Sequence, residues 1–295
     1  MGYEAHDSLV APARPSAHLG RLAGGVALTA LLFMSFSFAY SSLHRALVGP
    51  ERWDALAEGL AHGGTAAGVL INLYLFGLLI AALAVSLTVV HQRSLAGLFG
   101  PGARALRQFR KVLVALLVLF TLVMLVPADQ STAPDPNMAA GRWLLLLPLG
   151  LVGLILQTSA EEMVFRGYIQ SQLAARFAHP AVWLALPSAL FALLHYDPAM
   201  HGQNTWIVVG WAFAFGLAAA DLTARAGTLG PAIALHFVNN FGAILIAAPS
   251  GNFDGLALYS YPFSLSESES LWRWFPVDLA MLGCSWLAAR VALRR

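Results

Sequence analysis

The sequence predicts an all-α fold, a polytopic transmembrane helix bundle of about eight spans. Three observations carry this. The 295 residues are 58% hydrophobic and only 11% charged, where a soluble domain of this size carries roughly 25% charged residues. The mean hydropathy is +0.68. The apolar residues also fall into runs near the 20 residues or so that one helix needs to cross a bilayer core. The net charge is only +2 and its basic residues are scattered, whereas nucleic-acid binding wants a clustered basic face. Cys284 stands alone in the last apolar run, so there is no disulfide framework.

In chain order, residues 1–21 are polar with two prolines and read as a disordered cytoplasmic tail. The first apolar run, 22–43, is too long for a signal-peptide core and reads as a retained anchor. The segment 46–62 is amphipathic and too polar to span, which suits an interfacial helix. Further spans are expected at 64–90, 109–127, 143–165, 180–196, 205–224, 228–247 and 271–291, with an extramembrane proline-rich loop (PADQSTAPDPN) after the third. Lys and Arg concentrate on cytoplasmic segments. Eight spans with both termini inside place 13 of the 17 basic residues on inner segments; Arg45, Arg52, Arg142 and Arg273 fall outside.

Ionisable groups at membrane depth are costly and usually functional. The main set is Glu161, Glu162 and Arg166 in SAEEMVFRGY, His195 in FALLHY and His236 in ALHFVNN. Glu162 and Arg166 stand at i,i+4 with the acid first, the favoured order for a helical ion pair. Glu161 is turned about 100° away and is left as the free acid. Phe191 lies one turn before His195. His236 and Asn240 share a face of the seventh helix, with Asn239 as a competing choice. Asp221 and Asp278 sit near span ends, where interfacial solvation accounts for them, and His201 reads as a solvated loop residue.

One carboxylate, two imidazoles and an amide suit a hydrolysis. A carboxylate and an imidazole can hold and deprotonate water, while a second imidazole and an amide NH2 can donate to an oxyanion. Glu161, His195 and His236 also form a known type of zinc-ligand set, so zinc and no metal both stay open. The HExxH helix, a Gly-x-Gly-Asp pair and a Gly-x-Ser-Gly frame are all absent.

The order EEMVFR (161–166), FALLH (191–195), HFVNN (236–240) resembles the pattern EExxxR, FxxxH, HxxxN/D of the CPBP family, the CAAX-protease and bacteriocin-processing intramembrane proteases. RGYIQSQL after the first motif and GTLGPAIA before the third are similar as well. The resemblance covers roughly 140–250. It divides the chain into the tail (1–21), N-terminal transmembrane helices with an interfacial segment (22–140), a catalytic core (141–250) and a C-terminal loop with the last span (251–295). It implies an intramembrane endopeptidase acting on a protein or peptide substrate, in the eukaryotic relatives a prenylated one. Glu161 and His195 would activate the water, His236 and Asn240 would form the oxyanion site, and Glu162, Arg166 and Phe191 would support them. A scaffold that keeps the fold without turnover and a proton-coupled transporter are the alternatives; the transporter lacks the expected repeat symmetry.

These boundaries put Glu161 near the inner face and His195 near the outer one, too far apart to share a water. The expected resolution is that the fourth helix continues inward to about Arg176, because SQLAARF still reads as helix.

Overall fold

The computed structural model describes residues 2–125 and 133–294. The end of the third expected span (126–127) and residues 127–132 of the proline-rich loop lie outside the described residues. Nine principal helices follow one another: α1 (Leu19–Val48), α2 (Pro50–His62), α3 (Ala66–His91), α4 (Gly102–Met124), α5 (Ala140–Arg176), α6 (Pro180–Leu193), α7 (Thr205–Ala226), α8 (Gly230–Ile246) and α9 (Ser268–Leu293). They correspond to the eight expected apolar runs plus the amphipathic α2.

Five of these helical stretches are long and apolar enough to cross a membrane: α1, α3, α5, α7 with the turn before it, and α9. With the family-like segment reported below, they make this an integral membrane protein. The other three expected spans fall on helices that are shorter or open with charged residues. Helix α6 has 14 residues and rises only about 21 Å against a hydrocarbon core of about 30 Å. Helix α8 is likewise short. Helix α4 begins with Arg104, Arg107, Arg110 and Lys111 before its apolar half. The short helices pack on their neighbours: α6 on α7, and α8 on α4, α5 and α7.

Helix α5 runs without a break to Arg176, as expected. Its Met163–Gln170 stretch is a π-helix, a form that recurs at functional sites. A further π turn ends α3 (Leu87–His91), and another ends α8 (Phe241–Ile246). Three short strands also occur, which the all-α reading did not include. Tyr259–Tyr261 is central, antiparallel to Asp135–Pro136 and parallel to Ala247–Pro249. They join the chain entering α5 to the chain leaving α8.

The first residues are not a disordered tail. Short helical turns run over Glu4–His6, Asp7–Val10 and Ala11–Ser16, burying His6, Leu9, Ala13 and Ser16. Apolar side chains spaced three to four apart (His6, Leu9, Val10, Ala13) give the segment one face to dock. Gly227 closes α7 with φ +69°, and a Cβ there would stand 2.1 Å from the Ala5 carbonyl. Only glycine suits both the left-handed turn and this approach. Asp221 is not a solvated span end either. It accepts from Tyr3 Oη (2.7 Å), Arg225 Nε (2.8 Å) and Trp286 Nε1 (2.9 Å), tying the N-terminal segment to α7 and α9. His201 is buried as well.

Segments expected on one side of the membrane gather at one end of the bundle. At the end holding the N-terminal segment, Leu229 N donates to Phe99 O and the Gln172 amide meets Ser16. At the opposite end Phe253 N donates to His62 O, Met138 N to Leu258 O and Asn204 Nδ2 to Leu265 O.

Candidate active site

The depth conflict disappears in the structure. Helices α5 and α6 meet at the turn 177–179. Glu161 stands 15 residues before Arg176 and His195 15 residues after Pro180, each about 22 Å of helical rise from that turn. Phe165 and Phe191 pack edge to face across the pair at 5.3 Å.

Glu162 and Arg166 form the expected i,i+4 pair at 3.1 Å, and both side chains are fully buried. Arg166 also donates to Gly216 O (3.4 Å) and lies over the Phe191 ring at 4.6 Å. Glu162 has a second partner that the spacing did not reveal: its Oε1 is 2.8 Å from His236 Nδ1. A carboxylate oxygen accepts, so Nδ1 carries a hydrogen and Nε2 is the nitrogen turned to the site. That Nε2 lies 3.4 Å from Glu161 Oε2. The His236 ring, 3% exposed, is wedged against Phe215 (4.8 Å) and Phe191 (6.0 Å). Its orientation is fixed by the hydrogen bond to Glu162 and two aromatic walls.

Glu161 is not the free acid that the spacing suggested: besides His236 Nε2 it has an amide partner. Gln157, one turn earlier on α5, donates through Nε2 to Glu161 Oε2 (2.8 Å) and accepts through Oε1 from Asn240 Nδ2 (3.0 Å). Gln157 is therefore the residue that sequence reasoning missed. Its spacing of four from Glu161 was available as a signal, yet an uncharged amide does not stand out in an apolar helix. The same contact decides between the two asparagines: Asn240 faces the site, and Asn239 donates to Asn240 Oδ1 (3.2 Å).

His195 joins the group through an aromatic ring rather than a polar contact. It lies in the turn after α6, half-buried, its ring 4.8 Å from Phe191. Its Nδ1 is 3.0 Å from Phe191 O. A carbonyl can only accept, so Nδ1 holds the hydrogen and Nε2 is left as an acceptor.

Residues 142–242 match a family model described as type II CAAX prenyl endopeptidase Rce1-like. This segment holds every residue of the arrangement above, and the likeness to the CPBP proteases seen in the three motifs stands. The chain is also similar to the uncharacterized protein YyaK of Bacillus subtilis (strain 168), 24% identical over 174 residues. That alignment covers 57% of this chain and 57% of the relative, so this chain spans little more than half the relative's length. No solved structure matches the chain.

The Rce1-like segment does not present a ready metal site. Among the described residues no three His, Cys, Asp or Glu side chains converge as a ligand set. His236 Nδ1 is engaged by Glu162, and the only close pair left is Glu161 with His236 Nε2. The three-ligand set expected from Glu161, His195 and His236 is not assembled, so no step below is routed through a metal.

Proposed function

We propose that the protein is an intramembrane endopeptidase of the CAAX-protease-like type in which Glu161 is the general base. One observation carries the reading: Glu161, His236 and Asn240 are drawn together through Gln157 and Glu162 inside an apolar helix bundle. Such a grouping of polar side chains has a large desolvation cost and little structural return. In this reading His236, held between the two carboxylates by Nδ1 to Glu162 and Nε2 to Glu161, serves as the proton donor of the site. Glu162 then backs an imidazolium whose Nε2–H points into the site.

Water bound between Glu161 and the acceptor Nε2 of His195 attacks the scissile carbonyl carbon. Its proton passes to Glu161 as the C–O bond forms, and the carbonyl π electrons move to oxygen. His236 Nε2–H and the Asn240 amide donate to that oxyanion, the interaction that stabilises a tetrahedral intermediate. Collapse breaks the C–N bond, and Glu161 returns its proton to the departing amine. The Rce1-like match supports a peptide or protein substrate, and within that class a C-terminal, lipid-modified one fits a site approached from the bilayer.

Purified protein incubated with a library of membrane-anchored peptides should yield sequenceable cleavage products. Glu161→Gln should abolish them while leaving the melting curve in place. A library left intact by folded wild-type protein would reject the reading in favour of a binding scaffold.

A further inference from the structure

Helix α4 opens with basic residues that no acid answers. Arg104, Arg107, Arg110 and Lys111 are exposed, and among the described residues none of them makes an ion pair. Three of them, Arg104, Arg107 and Lys111, line a cavity of about 320 Å³ together with Gln108, Ala226 and Leu293. Gln108 is already engaged: it donates to Ala226 O and accepts from Thr228 Oγ1. The charge of the cavity is therefore carried by the three cations.

The surroundings say what kind of anion this is. The cavity lies at the seam where α4 packs on α9, at the bundle end that holds the N-terminal segment. Over the next three turns of α4 the exposed side chains become Val114, Leu117, Val118 and Leu122, and on α9 Leu287 and Val291 are exposed. Cations at the foot of an apolar seam match the two ends of one molecule, a phosphate headgroup and its acyl chains. Lys and Arg next to a membrane favour anionic lipid.

We propose that Arg104, Arg107 and Lys111 form a binding site for an anionic phospholipid, its phosphate in the cavity and its chains along the α4–α9 seam. A neutral zwitterionic lipid carries a choline that three cations would repel. A soluble phosphate lacks the chains that the apolar seam would cover.

The test uses the full-length protein in detergent, titrated with phosphatidylglycerol, phosphatidylcholine or inorganic phosphate while thermal stability and lipid retention by native mass spectrometry are read. Phosphatidylglycerol alone should raise the melting temperature and stay bound. Each basic residue near an anionic lipid contributes about a fivefold factor, so Arg104→Gln with Arg107→Gln and Lys111→Gln should weaken its binding on the order of 100-fold. Arg110→Gln, the same charge outside the cavity, should leave binding unchanged. Equal stabilisation by phosphatidylcholine or by inorganic phosphate overturns the proposal. So does an Arg110→Gln loss as large as that of any cavity residue. The cavity is lined by neither Glu161 nor His236, so failure here leaves the peptidase reading intact.

Discussion

At the residue scale the two adjacent glutamates have different partners, and their substitutions should separate. Glu161→Gln keeps size and hydrogen bonding but cannot take a proton, so the variant should fold and lose about 10²–10⁴ in rate. Glu162→Gln strips the counter-charge from a fully buried Arg166 and from the Nδ1 side of His236. Breaking a buried pair costs roughly 3–5 kcal/mol, so its melting temperature should fall along with its activity. Adding Arg166→Met should restore much of the stability but not the activity, because His236 still lacks its backing carboxylate. Melting curves and a cleavage assay on the three variants check this. A stable, inactive Glu162→Gln beside an active Glu161→Gln would mean that the roles are reversed. Gln157→Leu should keep the fold, lower kcat and leave KM near its wild-type value, since Gln157 positions Glu161 and Asn240 (2.8 and 3.0 Å); an unchanged kcat contradicts that role. Glu161, Glu162, Arg166 and His236 were legible because a charge in an apolar run has few explanations. Gln157 and the His236–Glu162 contact were not, because an amide raises no alarm and a contact across 74 residues leaves no trace in local spacing.

At the element scale the docked N-terminal segment is the main departure from the sequence reading. Its apolar face is only a few residues long, below what a periodicity argument can resolve. Its partners lie on α3, α5, α6 and α7. His6 is buried against Trp183, and burial lowers its pKa to about 4, with Asp7 opposing the shift. The folded segment thus binds the His6 proton less readily than the unfolded chain does. Its contribution is fully present above pH 6.5 and is lost as pH falls toward 4. A shift of this size corresponds to about 3 kcal/mol at most. Hydrogen exchange of residues 4–16 should accelerate between pH 6.5 and 4, and His6→Phe should flatten that dependence. An equally steep profile in the variant would assign the effect elsewhere. The same segment reaches the site helix: Ser16 Oγ, His91 and Tyr168 Oη form a buried chain with contacts of 2.9 and 2.8 Å. Helix α5, by contrast, was read correctly through to Arg176, because SQLAARF continues the helical pattern. Its π stretch was invisible, since a π turn differs from an α turn by one residue of phase and not by composition.

At the scale of the whole molecule, composition was enough to specify a membrane bundle, and the basic residues were enough to sort its loops into two ends. Span lengths were less legible. Residues 194–196 are still apolar or aromatic but lie in a turn, and hydropathy cannot mark where a buried helix stops. We predict that the end carrying Arg93, Arg104, Arg176 and Arg225 is cytoplasmic, following the 13-to-4 distribution of basic residues. Reporter fusions after residue 294 and within 133–139 should report opposite compartments; a shared compartment would refute the arrangement. The N-terminal segment has one further consequence, and it concerns time. Tyr3 bonds Asp221 and Ser8 bonds the Gly227 carbonyl, separations of 218 and 219 residues, and Asp221 in turn holds Trp286. Residues 3–16 leave the ribosome long before any of these partners exist. Their contacts to α3, α5 and α6 come within reach as those helices are made, but the docking is complete only once α7 and α9 exist. The brace that the N-terminal segment lays on the site helix is therefore completed last, by the final helices of the chain.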